Sequence, residues 1–144
     1  MNKKIKNATK TSGFKSQMEK SVYNKLVEAG YNPKYEEMTF TLLEGFYPTV
    51  DYYTKGRKEL TLSKTKIRSI TYTPDFILEI NDCLFIIEVK GFPNDVYPIK
   101  KKLFLNVLEK SNTKVIFVEI FKSKDINELL KIIKEYEENN SKTD

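Results

Sequence analysis

Apolar positions recur every three or four residues near both ends of the chain and alternate with polar positions between them. The first pattern predicts a helix from Ser16 to Gly30, with an apolar stripe formed by Met18, Val22 and Leu26. It also predicts a helix beyond Pro98, over KKKLFLNVLEK, and an amphipathic C-terminal helix over INELLKIIKEYEE.

The central segments have the composition of strands. KYEEMTFTLL at 34–43 predicts one strand, and TKVIFVEI predicts another that is short and buried. Between 44 and 66 the pattern is less regular: tyrosines and Val50 indicate further strand, and KGRKE indicates a turn. The order helix, antiparallel strands, helix, strand, helix predicts one α/β domain over residues 13–144, with a mixed central sheet flanked by helices.

Residues 71–91, TYTPDFILEINDCLFIIEVKG, predict a β-hairpin. Asn and Asp tolerate the positive φ angles of a two-residue turn, so Asn81-Asp82 would join the strands and pair Ile80 with Cys83. In that register one face is wholly apolar and forms the core: Phe76, Leu78, Ile80, Cys83, Phe85, Ile87 and Val89. A slip of one residue at the turn would spoil this arrangement, so the register is a testable assumption.

The same register brings three charged residues together at the end of the hairpin away from the turn. Asp75 lies opposite Glu88 on the second face, and Lys90 follows on that face two residues later. Opposed residues have Cβ atoms about 4.5–5.5 Å apart, and two carboxylates so placed raise each other's pKa unless a cation is present. Two interpretations stay open: a divalent metal binds between the carboxylates, or Lys90 neutralises an exposed acidic strand end.

Composition narrows the chemistry of such a site. The 144 residues include no histidine, which excludes histidine general bases, Ser-His-Asp triads and the common zinc sites. A metal must therefore be held by oxygen atoms, which favours magnesium, manganese or calcium. The single cysteine, Cys83, excludes an intramolecular disulfide and is typical of a reducing compartment. No segment has the roughly 20 apolar residues needed to span a bilayer, so no membrane association is expected.

The net charge of +5 is compatible with a polyanionic partner, and its distribution indicates two basic segments. Residues 1–12 predict a basic, disordered N-terminal tail, and the lysines that precede the first acidic residue are Lys3, Lys4, Lys6, Lys10 and Lys15. The second segment begins the helix beyond Pro98 and consists of Lys100, Lys101 and Lys102. Both are candidates for phosphate contacts, and a solvated surface explains both equally well.

Pro74-Asp75, a gap of twelve residues and then Glu88-Val89-Lys90 match the PD-(D/E)xK pattern, in which the chain resembles the restriction-endonuclease-like nucleases. TYTPDF and EVKG resemble the corresponding segments of the phage endonuclease I family of Holliday-junction resolvases. FKSQMEK at 14–20 is similar to that family's opening helix, which carries a catalytic Glu, and YEE at 35–37 to the strand that follows. Residues 41–70 are longer than this region is in the compact members of the family.

The resemblance implies a restriction-endonuclease-like fold and a magnesium-dependent DNA endonuclease, with manganese as a plausible substitute. By resemblance, the metal ligands are Asp75, Glu88 and the backbone carbonyl of Val89. Lys90 would orient or deprotonate the attacking water, or stabilise the transition state.

Glu19 would be the additional catalytic carboxylate that completes the metal site, again by resemblance. The residues themselves allow another role, because Ser16-Gln17-Met18-Glu19 also fits a capping box that starts the helix. In the endonuclease I family the two subunits exchange elements, which implies that Glu19 acts with Asp75 of the partner subunit.

The resemblance further implies a phage or prophage protein in the bacterial cytoplasm, which acts in DNA recombination as a homodimer on branched DNA. A symmetric dimer suits a four-way junction, because paired cuts need two active sites. Two other functions stay open. One is a nuclease of the same fold with a restriction, repair or transposition target, and the other is a non-catalytic DNA-binding protein.

Overall fold

Three helices and eight strands form the described part of the chain, residues 13–91 and 94–141 of a computed structural model. The helices are α1 (Gln17–Glu28), α2 (Tyr97–Lys110) and α3 (Lys124–Ser141). The strands are β1 (Lys34–Tyr35), β2 (Phe40–Leu43), β3 (Tyr53–Lys55), β4 (Leu60–Leu62), β5 (Ile70–Tyr72), β6 (Phe76–Ile80), β7 (Cys83–Val89) and β8 (Val115–Ile120). Strand β7 is followed by α2, and β8 lies between α2 and α3.

The main sheet has the strand order β1-β6-β7-β8. Strands β1, β6 and β7 are antiparallel, whereas β8 runs parallel to β7 after the α2 crossover. This confirms the predicted α/β class, with a mixed sheet flanked by helices. Two smaller ladders stand apart from it, one formed by β2 and β5 and the other by β3 and β4.

The predicted hairpin register is confirmed along the whole β6–β7 ladder. Ile80 pairs with Cys83, and the pairing continues without a slip to Phe76 and Ile87. Asn81 adopts a φ of 55°, as a two-residue turn requires. Continuing this register by one pair places Asp75 opposite Glu88 at the end of the ladder.

Helices bury both faces of the hairpin. On one face the seven predicted core residues pack beneath α1 and α3, together with Val22, Leu26, Leu129 and Ile133. On the other face α2 covers a second cluster that consists of Tyr72, Ile77, Ile86, Tyr97 and Phe104. A sheet enclosed on both faces is rigid, and it therefore holds the charged end of the hairpin in a defined position.

Local signals explain where the helices begin and end. Ser16 caps α1 through its Oγ, which accepts from the Glu19 N–H at 3.1 Å, and Gly30 follows the helix with a φ of 92°. Helix α2 begins one residue before Pro98, because proline is tolerated in the first turn. Within the described residues no helix is both long and apolar enough to cross a bilayer.

The structure corrects one predicted strand and resolves a segment that the pattern left irregular. The strand predicted over 34–43 is divided into β1 and β2, because Glu36 has a φ of 47° and turns the chain. The segment from 44 to 66 forms the β3–β4 ladder, and the KGRKE sequence supplies its turn.

Candidate active site

The site lies where β6 begins and β7 ends. Asp75 Oδ2 accepts a hydrogen bond from the Val89 N–H at 2.7 Å, which ties the two strands together beyond the ladder. Lys90 Nζ lies 3.5 Å from Glu88 Oε2, and the Lys90 N–H donates to the Ile120 carbonyl of β8. The structure therefore brings together the Asp75, Glu88 and Lys90 that the sequence placed at one end of the hairpin.

Burial makes the carboxylate pair costly to ionise. Only 6% of Glu88 is exposed, and Asp75 is half-buried. Burial, followed by the charge of Glu88, raises the pKa of Asp75 to about 7, although the Val89 N–H acts in the opposite direction. Burial also raises the pKa of Glu88, against the effects of the Tyr72 hydroxyl and Lys90. The pair therefore favours a bound proton or another cation.

Three side chains that the sequence did not predict form the wall of the site, by which we mean Tyr72, Tyr97 and Glu119. The Tyr72 hydroxyl donates to Glu88 Oε1, and Lys90 Nζ sits 4.0 Å from the centre of the Tyr97 ring. Tyr97 in turn donates to Glu119 Oε2 at 2.7 Å. The one available signal was the parallel pairing of Glu119 with Glu88, which can be inferred only after β8 is placed beside β7.

Glu19 lies in the first turn of α1 and also beside the site. Its N–H donates to Ser16 Oγ, so Ser16 caps the helix as predicted, and the Glu19 carboxylate accepts from the Ser16 hydroxyl at 3.3 Å in place of the Ser16 N–H that a capping box uses. Yet Glu19 is only 6% exposed, and Tyr35 donates to its Oε2 at 2.6 Å. The negative charge of Glu19 also contributes to the raised pKa of Asp75. Glu19 and Asp75 are therefore neighbours within one chain.

Glu36 approaches the site from the turn that follows β1. Its N–H donates to the Asp75 carbonyl at 2.9 Å, and its charge also raises the pKa of Asp75. Lys15 Nζ pairs with Glu36 Oε1 at 2.8 Å, although three quarters of the lysine side chain remain exposed. Of the two adjacent glutamates, Glu36 faces the site and Glu37 lines a groove beside β6.

The candidate DNA-binding lysines have different surroundings. Lys101 Nζ donates to Glu119 Oε1 at 2.6 Å and so supports the wall of the site, whereas Lys102 is exposed and Lys100 is half-buried. The remaining lysines of this group, apart from Lys15, lie outside the described residues: Lys3, Lys4, Lys6 and Lys10.

The donor chemistry at this end of the hairpin fits a hard divalent cation. Asp75, Glu88 and the Val89 carbonyl offer oxygen ligands, and Glu19 could supply a further one. Within residues 13–91 and 94–141, no three acidic or cysteine side chains already converge as metal ligands. Because Tyr72 and Lys90 engage the Glu88 oxygens, a cation would have to replace part of that bonding.

Comparison with known proteins gives one match. The profile of the family described as "Protein of unknown function (DUF1064)" matches residues 2–128, so the chain belongs to that family. The match includes all four of the catalytic candidates: Glu19, Asp75, Glu88 and Lys90. No curated protein and no solved structure matches the chain.

Proposed function

We propose that this member of the family is a metal-dependent endonuclease that hydrolyses phosphodiester bonds in DNA and has a restriction-endonuclease-like fold. The observation that carries the proposal is the position of Asp75 beside Glu88 at one end of a rigid hairpin: Asp75 accepts from the N–H of Val89, the residue after Glu88, and Lys90 Nζ lies 3.5 Å from Glu88. A buried pair of carboxylates with raised pKa values is a feature of functional sites more than of structural ones.

Each side chain has a physical task in this reaction. Asp75 and Glu88 would hold the cation, and Glu19 adds negative charge from α1. A magnesium or manganese ion bound there would supply an activated water and stabilise charge on the phosphate. Lys90 is held between Glu88 and the face of Tyr97, where its ammonium can reach a phosphate oxygen or the water. Tyr72 and Tyr97 keep these groups in place.

Branched DNA is the substrate that the resemblance to the endonuclease I family favours, and a homodimer is the matching assembly. The structure supports a simpler arrangement of the site than subunit exchange. Because Glu19 already acts electrostatically on Asp75 of its own chain, one chain supplies all the proposed carboxylates. We therefore propose that each subunit has a complete site.

The test is to incubate the protein with a four-way junction, linear duplex and single-stranded DNA, in magnesium or in EDTA. We expect magnesium-dependent cleavage of the junction, lost in Lys90→Ala and kept in Lys131→Ala, a change at an exposed lysine of α3. Cleavage of linear duplex at one sequence would instead indicate a restriction-like target. Binding without cleavage in any divalent metal would refute the nuclease and favour a DNA-binding protein.

A further inference from the structure

Residues 44–69, which we call the 44–69 arm, take no part in the site and are poorly buried. The arm leaves the β2–β5 ladder, forms the Phe46–Ile67 bridge and ends in the β3–β4 hairpin. All three residues of β4 are exposed, and Tyr47 and Val50 are 67% and 73% exposed. Large apolar side chains left in solvent together commonly mark a binding surface.

The 44–69 arm also holds a disproportionate share of the positive charge. It has six basic and three acidic residues, so its net charge is +3 of the +5 of the whole chain. Among the residues that the structure describes, none of the six basic side chains pairs with a carboxylate: Lys55, Arg57, Lys58, Lys64, Lys66 and Arg68. This charge is therefore available to a partner.

Pairing geometry places aromatic and basic groups on one face of the arm. Since Phe46 is opposite Ile67, their neighbours Tyr47, Lys66 and Arg68 point to the other face. Lys66 Nζ lies 5.9 Å from the centre of the Tyr47 ring. With Glu44 at the edge, Lys66 and Arg68 also line an open cleft. Interleaved cations and exposed rings are typical of surfaces that bind single strands of nucleic acid.

We propose that the 44–69 arm is a nucleic-acid-binding element, in which Lys64, Lys66 and Arg68 bind backbone phosphates and Tyr47 stacks on an unpaired base. The inference deepens the proposed function and rests on it for the choice of DNA. Charge complementarity favours a polyanion over a second copy of the chain, because two arms of like charge repel each other. The arm adjoins the site, since Arg68 is four residues from Tyr72 and their Cα atoms are at most about 14 Å apart.

The first experiment measures DNA affinity in EDTA, so that no cleavage is needed. Fluorescence anisotropy with a labelled junction and a labelled single strand gives Kd over a series of salt concentrations. We expect the variant Lys64→Ala/Lys66→Ala/Arg68→Ala to bind at least about tenfold more weakly and to lower the slope of log Kd against log salt by about 2 to 3.

The matched control removes three exposed lysines from α3 instead: Lys124→Ala/Lys131→Ala/Lys134→Ala. We expect the control to keep a salt slope close to that of the wild type. Equal slopes in the two triple variants would overturn the proposal, because they would show that only net charge matters. Unfolding midpoints in urea verify that both variants fold.

Substitutions at Tyr47 test the contribution of base stacking separately from that of charge. Tyr47→Ala should weaken binding of the single strand about tenfold, whereas Tyr47→Phe retains the ring and should bind normally. A Tyr47→Phe variant as weak as Tyr47→Ala would overturn the stacking contact.

Sedimentation tests the alternative partner of the 44–69 arm, a second copy of the chain. Leu60→Ser alters the exposed apolar side of the hairpin, on which Leu62 and Tyr53 also lie. If this change converts a dimer to a monomer and abolishes DNA binding with it, the arm is a subunit contact and the proposal fails.

Arm-dependent binding without magnesium-dependent cleavage would refute the nuclease alone. Cleavage that needs Lys90, with a salt slope independent of the arm, would refute this inference alone.

Discussion

Replacing Asp75 with Asn should stabilise the metal-free protein at neutral and alkaline pH. The amide removes the buried charge but keeps an oxygen that can accept from the Val89 N–H. Burial and the charge of Glu88 raise the pKa of Asp75 from 3.8 to about 7, so the folded protein binds this proton more tightly than the unfolded chain does. The wild type therefore loses stability as pH rises from about 4 through about 7.

The magnitude follows from that pKa difference. The difference is about 3 units, and each unit corresponds to about 1.4 kcal/mol. Ionising Asp75 therefore lowers the free energy of unfolding by at most about 4 kcal/mol above pH 7. Roughly 3 kcal/mol of it develops between pH 5 and pH 8, because the folded carboxyl holds its proton until pH approaches 7. Solvent around the exposed part of the carboxyl makes these values upper bounds.

The assay is urea unfolding in EDTA, followed by circular dichroism at about pH 5 and about pH 8. We expect the free energy of unfolding of Asp75→Asn to exceed that of the wild type by a margin that grows with pH. Asp51→Asn, at an exposed aspartate, is the control and should show no such growth. A margin that stays constant or shrinks with rising pH would refute the argument that Asp75 is ionised at a cost.

Three further changes test the surroundings of the site. Tyr72→Phe removes the hydroxyl bonded to buried Glu88; it should cost about 1–3 kcal/mol of unfolding free energy and raise the pKa of Glu88, which moves the activity profile to higher pH. Ser16→Ala removes the α1 cap and should cost about 1 kcal/mol in urea unfolding, whereas Ser16→Asn should restore most of it. Phe104→Ala opens a cavity beneath α2 and should cost about 3–5 kcal/mol, whereas Leu105→Ala, at a site 41% exposed, should cost much less in the same assay.

The hairpin was predictable because two independent signals agreed. One face of the two strands is wholly apolar, and Asn81 accepts the positive φ of the turn, so the register followed by counting, and Asp75 and Glu88 come one position beyond its last pair. The Ser16 cap was likewise a local signal. Such features depend on neighbours in sequence, which a pattern can read directly.

The wall of the site was not predictable, because it depends on contacts between distant elements. Tyr97 reaches both Lys90 and Glu119 only because α2 crosses one face of the sheet and β8 pairs with β7. The division of the strand over 34–43 was also not predictable, since Glu36 adopts a positive φ that its side chain does not favour. Tertiary packing determines both the contacts around the site and this break in the strand.

Titration calorimetry of magnesium or manganese into the protein near pH 7 tests whether Asp75 and Glu88 bind a divalent cation. Because the pKa of Asp75 lies at about 7, a cation that binds between Asp75 and Glu88 must displace a fraction of a proton, which is measurable in buffers of different ionisation enthalpy. We expect metal binding with proton release in the wild type, and loss of binding in a folded Glu88→Gln variant. No binding by the wild type, or equal binding by Glu88→Gln, would refute a metal site at this pair.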